Sequence, residues 1–203
     1  KEASSLVDMA GDSLGLPFAT CLRMSDVGYV SAAQANLDIS YNSIEAYCQA
    51  LTPGLKETYG PYRRFKPIDG NYQQLNDAIL QIENEFYSNI RPKRISRSNQ
   101  RPIHALSENG IEYLEVRCLD LDPFEAGGIS AEACYFIDTF LLACAISKSP
   151  LDSPQELSSI DKNQKLVAET GRDEQLRLSK DGRPCLLREY AKDVLDACSV
   201  AAE

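Results

Sequence analysis

The sequence is poor in several of the residues that simple catalytic and binding motifs need. It has one histidine, His104, so a Ser/His/Asp triad would rest on a single candidate in an Arg-Pro-Ile-His context. No GxxxxGKS/T phosphate loop, GxGxxG dinucleotide turn or GxSxG nucleophile elbow occurs. No stretch approaches the roughly 18–20 uninterrupted apolar residues that a membrane-spanning helix requires. The most apolar run, Ala133–Ile146, is interrupted by Asp138 and Thr139 and predicts a buried helix. Net positive charge is also missing. The formal charge is −9, so the chain as a whole lacks the basic footprint of a nucleic-acid binder. The seven cysteines include no CxxC pair, and with one histidine they do not suggest a zinc site. Their odd number and irregular spacing predict free thiols in a reducing, cytoplasmic setting, with Cys118, Cys134 and Cys144 as small core residues. The chain opens Lys-Glu-Ala-Ser-Ser, with no initial Met and no secretory pattern, and is expected to be a piece of something longer.

What is present suits a packed domain: of 203 residues, 43% are hydrophobic and 25% charged. Residues 1–15 predict a loop. Leu16–Met24 predicts a strand. Ser40–Leu51 predicts a helix capped by Asn42 or Ser43 and ended by Pro53 and Gly54. Tyr59–Gly70 predicts an irregular arm. Gln73–Ile90 could begin as a short helix, and Ile79–Tyr87 alternates as a strand does. A basic loop, Arg91–Arg101, follows, and His104–Glu108 suggests a helical turn. Gly110–Asp122 gives the strongest strand pattern. Helices then run from Ser130 to about Lys148, over Pro154–Thr170 with Ser153 as cap, and over Cys185–Ala202. Strands early, about 16–124, and helices late, about 130–203, predict an α+β fold with an antiparallel sheet and outer helices.

Three constellations could carry chemistry. Residues two apart on a strand share a face, so Tyr113, Glu115, Arg117 and Leu119 point one way. A carboxylate is a hard oxygen donor for Mg²⁺ and a guanidinium a planar fork for phosphate, although a surface ion pair would look the same. In Arg23-Met24-Ser25-Asp26-Val27-Gly28-Tyr29, Arg23 could hold a carboxylate and Tyr29 could wall a small pocket, or the segment could be an ordinary strand-end loop. Glu83 and Glu85, followed by Arg91, Lys93 and Arg94, could be metal carboxylates beside a phosphate clamp, or a solvated face and a basic turn.

At these residues the sequence resembles the proteobacterial-type glutamate–cysteine ligases. The runs LRMSDVGY (22–29), LQIENEFYSNIRPKR (80–94) and GIEYLEVRCLDLDPF (110–124) occur in the family's order and at about its spacing, and DKNQKLVAETGR (161–172) is a looser match. The resemblance covers nearly the whole chain, but only the middle and later part of the family protein. It implies that residues 1–203 are a C-terminal-side part of a catalytic domain with a glutamine synthetase-like, partial antiparallel sheet. It implies an ATP-dependent ligase that joins the γ-carboxylate of L-glutamate to the amine of L-cysteine through γ-glutamyl phosphate, the first step of glutathione biosynthesis. Glu115 matches the family's Mg²⁺-ligating glutamate. Arg117 matches the catalytic arginine facing the transferred phosphoryl group. Arg23 matches an arginine at the cysteine end of the site, and Tyr29 and Tyr87 match tyrosines walling the cysteine pocket. Arg91, Lys93, Arg94, Glu83 and Glu85 lie in a family motif without an assigned role. The remaining metal carboxylates of the family lie in the N-terminal half, a partner region that the isolated chain would need for activity. The implied partners are glutamate, cysteine and ATP, with no nucleic acid and no membrane. The alternative is a noncatalytic binding or structural remnant of the same fold, which would be free to lose the matching residues.

Overall fold

In a computed structural model, residues 6–203 are described, and they divide into two units. The first joins the chain up to Gly28 with Leu119–Glu203, and the second is Tyr29–Cys118. Helices and short antiparallel strands are both present, as an α+β fold requires. Among the described residues, the strands form three separate two-stranded ladders and not one sheet. No helix among them is long and apolar enough to cross a membrane.

The second unit is built on α1 (Ile44–Gly54), β3 (Ile90–Lys93), α2 (Pro102–Asn109) and β4 (Tyr113–Val116). Ser43 starts α1: its hydroxyl accepts the Ala46 N–H at 3.0 Å and satisfies one of the orphan donors of the first turn. Pro53 and Gly54 fall inside its last turn and not beyond it. Tyr47, Cys48 and Leu51 lie on one helical stripe and bury against Ile39, Leu80, Phe86 and Leu106. Leu80, with no exposure at all, comes from a segment that is neither helix nor strand. The expected strand Ile79–Tyr87 does not form, and only a single 3₁₀ turn occurs, at Glu83–Glu85. Backbone bonds from Ile79 to Glu57 and from Leu80 to Gly54 hold this segment beside the end of α1. The start of the expected basic loop is instead strand β3. Pro92, which cannot donate to a ladder, is tolerated because the ladder has only two strands.

The first unit contains the hairpin β1 (Val7–Met9) and β2 (Ser13–Gly15), the helices α3 (Ala131–Ile146) and α4 (Pro154–Thr170), the hairpin β5 (Arg177–Lys180) and β6 (Arg183–Leu186), and α5 (Leu187–Ala201). Ser130 and Ser153 cap α3 and α4 by accepting the N–H groups of Ala133 and Glu156. Leu16–Met24, expected as a strand, is a series of turns. Its donors go elsewhere: the Thr20 and Cys21 N–H groups reach the Ala168 carbonyl near the end of α4. The buried-helix expectation for Ala133–Ile146 is right in element and wrong in burial. Only Ala143 is buried, while Tyr135, Phe136, Leu142 and Ile146 are exposed. Cys134 and Cys144 are exposed and Cys118 half-buried, and the buried thiols are Cys48 and Cys198. None of the seven cysteines is in a disulfide.

Candidate active site

The β3–β4 register organises a charged cluster in the second unit. Arg91 stands directly opposite Glu115, and Lys93 opposite Tyr113. Same-face alternation then brings Arg91, Lys93 and Glu115 together, and Arg117, just past the end of β4, completes the group. The Arg117 Nη1 donates to Glu115 Oε1 at 2.7 Å. The other carboxylate oxygen, Oε2, lies 3.8 Å from Arg91 Nε and 3.7 Å from Lys93 Nζ. These are ion-pair distances, too long for hydrogen bonds. Oε2 is buried and accepts no hydrogen bond. Three cations thus surround one carboxylate, an excess of two positive charges.

The charges tune one another. Burial pushes the Glu115 carboxyl up. The Arg117 hydrogen bond and the Arg91, Arg117 and Lys93 charges outweigh it and hold the group below the usual carboxylate range. Burial, with Arg91 and Arg117 nearby, pulls the Lys93 ammonium below its usual range against the attraction of Glu115. For Arg117, burial opposes the charged form, but Glu115 and Tyr29 raise the guanidinium further.

An aromatic wall adjoins these charges. Tyr29 and Tyr87 stack with ring centroids 3.9 Å apart and an interplanar angle of 20°. The Arg117 guanidinium carbon lies 5.1 Å from the centre of the Tyr29 ring, a cation–π distance. Gln34 fixes the chain at Tyr87: its Oε1 accepts the Tyr87 N–H at 2.8 Å, and its Nε2 donates to the Glu85 carbonyl at 2.8 Å. Four of the five residues to which the resemblance gives a role, Tyr29, Tyr87, Glu115 and Arg117, therefore belong to one cluster, together with Arg91 and Lys93.

Arg23 belongs to the first unit. The Asp120 carboxylate accepts the backbone N–H groups of Leu22 at 2.9 Å and Arg23 at 2.8 Å, and the turn closes through Gly28 N–H to the Ser25 carbonyl at 3.0 Å. A Cβ on Gly28 would stand 2.2 Å from the carbonyl oxygens of Leu22 and Arg23, so no side chain fits there. Lys165 pairs with Asp26 at 2.6 Å and fastens the same turn to α4.

The acidic residues of 81–87 act on their own neighbours. Glu83 is buried and pairs with Arg101 at 2.9 Å, while Glu85 Oε2 accepts the Gln81 N–H at 2.6 Å. Arg94 turns away from the cluster, donating to the Asn109 carbonyl at 3.0 Å. Sequence reasoning did not anticipate Asn84, which accepts from Arg91 through its backbone oxygen and from Lys93 through Oδ1, each at 2.8 Å. No sequence signal marks it, because its role depends on the β3–β4 register. Among the described residues, no group of three or more His, Cys, Asp or Glu side chains could hold a metal ion. Glu115 can offer one oxygen, and by themselves these residues do not make a Mg²⁺ site.

The glutamate–cysteine ligase family model matches residues 1–167. The chain belongs to the glutamate–cysteine ligase family. It is 44% identical over 199 residues to the glutamate–cysteine ligase of Pseudomonas putida, covering 98% of this chain and 38% of that protein. It is 43% identical over 192 residues to the enzyme of Azotobacter vinelandii, covering 94% and 36%. The crystal structure of glutamate–cysteine ligase from Francisella tularensis in complex with AMP superposes with a TM-score of 0.91 at 39% identity, over 100% of this chain and 41% of that chain. The chain thus spans about 38% of the length of the first of these relatives.

Proposed function

We propose that this chain is the C-terminal-side part of the catalytic domain of an ATP-dependent glutamate–cysteine ligase, with a glutamine synthetase-like, partial antiparallel sheet. The reading rests on one observation above all: a carboxylate, three cations and a pair of stacked tyrosines meet in one cluster. Such a group suits phosphoryl transfer beside a small acceptor pocket. The reaction needs no enzyme nucleophile. Glutamate attacks the γ-phosphate of ATP, ADP leaves, and the cysteine amine displaces phosphate from γ-glutamyl phosphate. The protein's share is positioning and neutralisation of charge.

In this reading Arg117 faces the transferred phosphoryl group. Its contacts with Glu115 and the Tyr29 ring preorganise it, so little reorganisation is needed as charge develops. Glu115 would supply one oxygen to a Mg²⁺ whose other ligands come from parts of the family protein outside this chain, and such a cation would supply neutralisation of phosphate charge. Tyr29 and Tyr87 take the role of walling a small acceptor pocket, and for Arg23, in the first unit, the family resemblance implies a hold on the cysteine carboxylate. The AMP of the Francisella structure supports a nucleotide as co-substrate.

The test is ADP release by the full-length protein with glutamate, cysteine and Mg²⁺ omitted in turn, together with trapping of the acyl phosphate by hydroxylamine. Glutamate-dependent ADP release and a γ-glutamyl hydroxamate are expected. ADP release indifferent to glutamate would refute the assignment. The 203-residue chain alone is expected to give neither product, because Mg²⁺ needs several oxygens and the cluster offers one carboxylate.

A further inference from the structure

Arg91 is the most deeply buried cation in the second unit, with 4% of its surface exposed. A buried guanidinium is costly unless its donors are used, so its placement asks for a reason. Two of its three nitrogens are committed: Nη2 donates to the Tyr29 hydroxyl at 2.8 Å and Nη1 to the Asn84 carbonyl at 2.8 Å. The third nitrogen, Nε, faces Glu115 Oε2 at 3.8 Å and makes no hydrogen bond. One rigid fork therefore holds the rim of the aromatic wall with one arm and faces the carboxylate with its edge. The distance matters. At 3.8 Å, Arg91 faces Oε2 as a charge and not as a hydrogen-bond donor.

We propose that Arg91 is a positioning residue that ties the pocket wall at Tyr29 to the carboxylate at Glu115, so that one side chain sets both acceptor binding and the phosphoryl step. This rests on the ligase reading above. Arg91 touches neither substrate nor metal in this account. It acts through Tyr29, whose hydroxyl it orients, and through Glu115, which it faces from across the ladder.

The full-length enzyme carrying Arg91→Ala, Arg91→Lys, Tyr29→Phe and the Ala/Phe double change tests this. Arg91→Ala should raise KM for cysteine and lower kcat by about tenfold each, the scale of one lost charge-assisted contact. Arg91→Lys keeps a positive charge beside Glu115 but loses the fork, so kcat should recover while KM for cysteine stays high. Tyr29→Phe should raise KM for cysteine in the wild-type background and add less than about twofold in the Arg91→Ala background, because the contact is already gone. Strict additivity, or kcat and KM both unchanged in Arg91→Ala, would overturn the proposal. If Arg91→Ala does not fold, the Arg91→Lys and Tyr29→Phe pair forms the same cycle. If the wild-type protein does not ligate, the ligase reading fails first, and the tie is read by ¹³C-tyrosine NMR. The Tyr29 resonance should then move in Arg91→Lys and not in Arg94→Ala, and its failure to move would sink the tie itself.

Discussion

Glu115 and Arg117 sit two residues apart and close a 2.7 Å ion pair with each other at the end of a two-stranded ladder. The pair is partly exposed, so its value to stability is modest. Its worth is orientation: each side chain holds the other at a fixed point beside Tyr29.

In the full-length enzyme, Arg117→Ala should lower kcat by about 10²–10³, the scale for one preorganised charge stabiliser. Glu115→Gln keeps the shape and removes the anion. Activity should fall, and part of it should return as Mg²⁺ is raised. Steady-state kinetics across a Mg²⁺ series measures both, and a normal kcat in either variant contradicts its role.

Acid should weaken the same pair. The folded Glu115 carboxyl titrates below its usual range, so its stabilising contribution is complete above the unfolded value of about 4.3 and fades as pH drops through the lower folded value. The stability gap between the wild-type chain and Glu115→Gln should therefore be widest near neutrality and narrow below about pH 4. Urea melts at several pH values would show it, and a gap that widens with acid would contradict the sign.

Arg23→Ala should raise KM for cysteine strongly and leave KM for ATP nearly unchanged. Asp120→Ala should do the same more weakly, because it frees the backbone on which Arg23 is carried. An ATP-specific defect in Arg23→Ala would invert this assignment.

Leu80→Ala should destabilise the second unit by about 2–5 kcal/mol, since a fully buried side chain leaves a cavity. Chemical denaturation measures this, and a loss under about 1 kcal/mol would mean the cavity collapses.

Thiol reagent applied to denatured, unreduced chain should find all seven cysteines. In the native chain, exposed Cys134 should react well before buried Cys48 and Cys198.

Helix starts were legible because a capping serine acts within three residues: Ser43, Ser130 and Ser153 each accept the expected N–H. The β5–β6 hairpin carried a readable signal too, Asp181-Gly182 with positive φ at both positions, but the apolar run of Cys185 onward masked it. Leu16–Met24 could not be read correctly. Its backbone partners, Asp120 and Ala168, lie about a hundred residues or more away in the chain. The site divides the same way. Glu115 and Arg117 are neighbours in sequence, and strand alternation alone puts them on one face. Arg91 and Asn84 join them only through the pairing of β3 with β4, which no local pattern specifies.

The open apolar side of α3 has a consequence for handling the chain. Tyr135, Leu142 and Ile146 are offered to solvent by a polypeptide whose formal charge is −9. Colloidal behaviour is then a contest between short-range attraction and like-charge repulsion, and added salt removes only the second, shrinking its reach to about 8 Å at physiological ionic strength. Purified chain should stay dispersed in dilute buffer and cloud as salt rises, the reverse of the behaviour of a protein held together in aggregates by ion pairs.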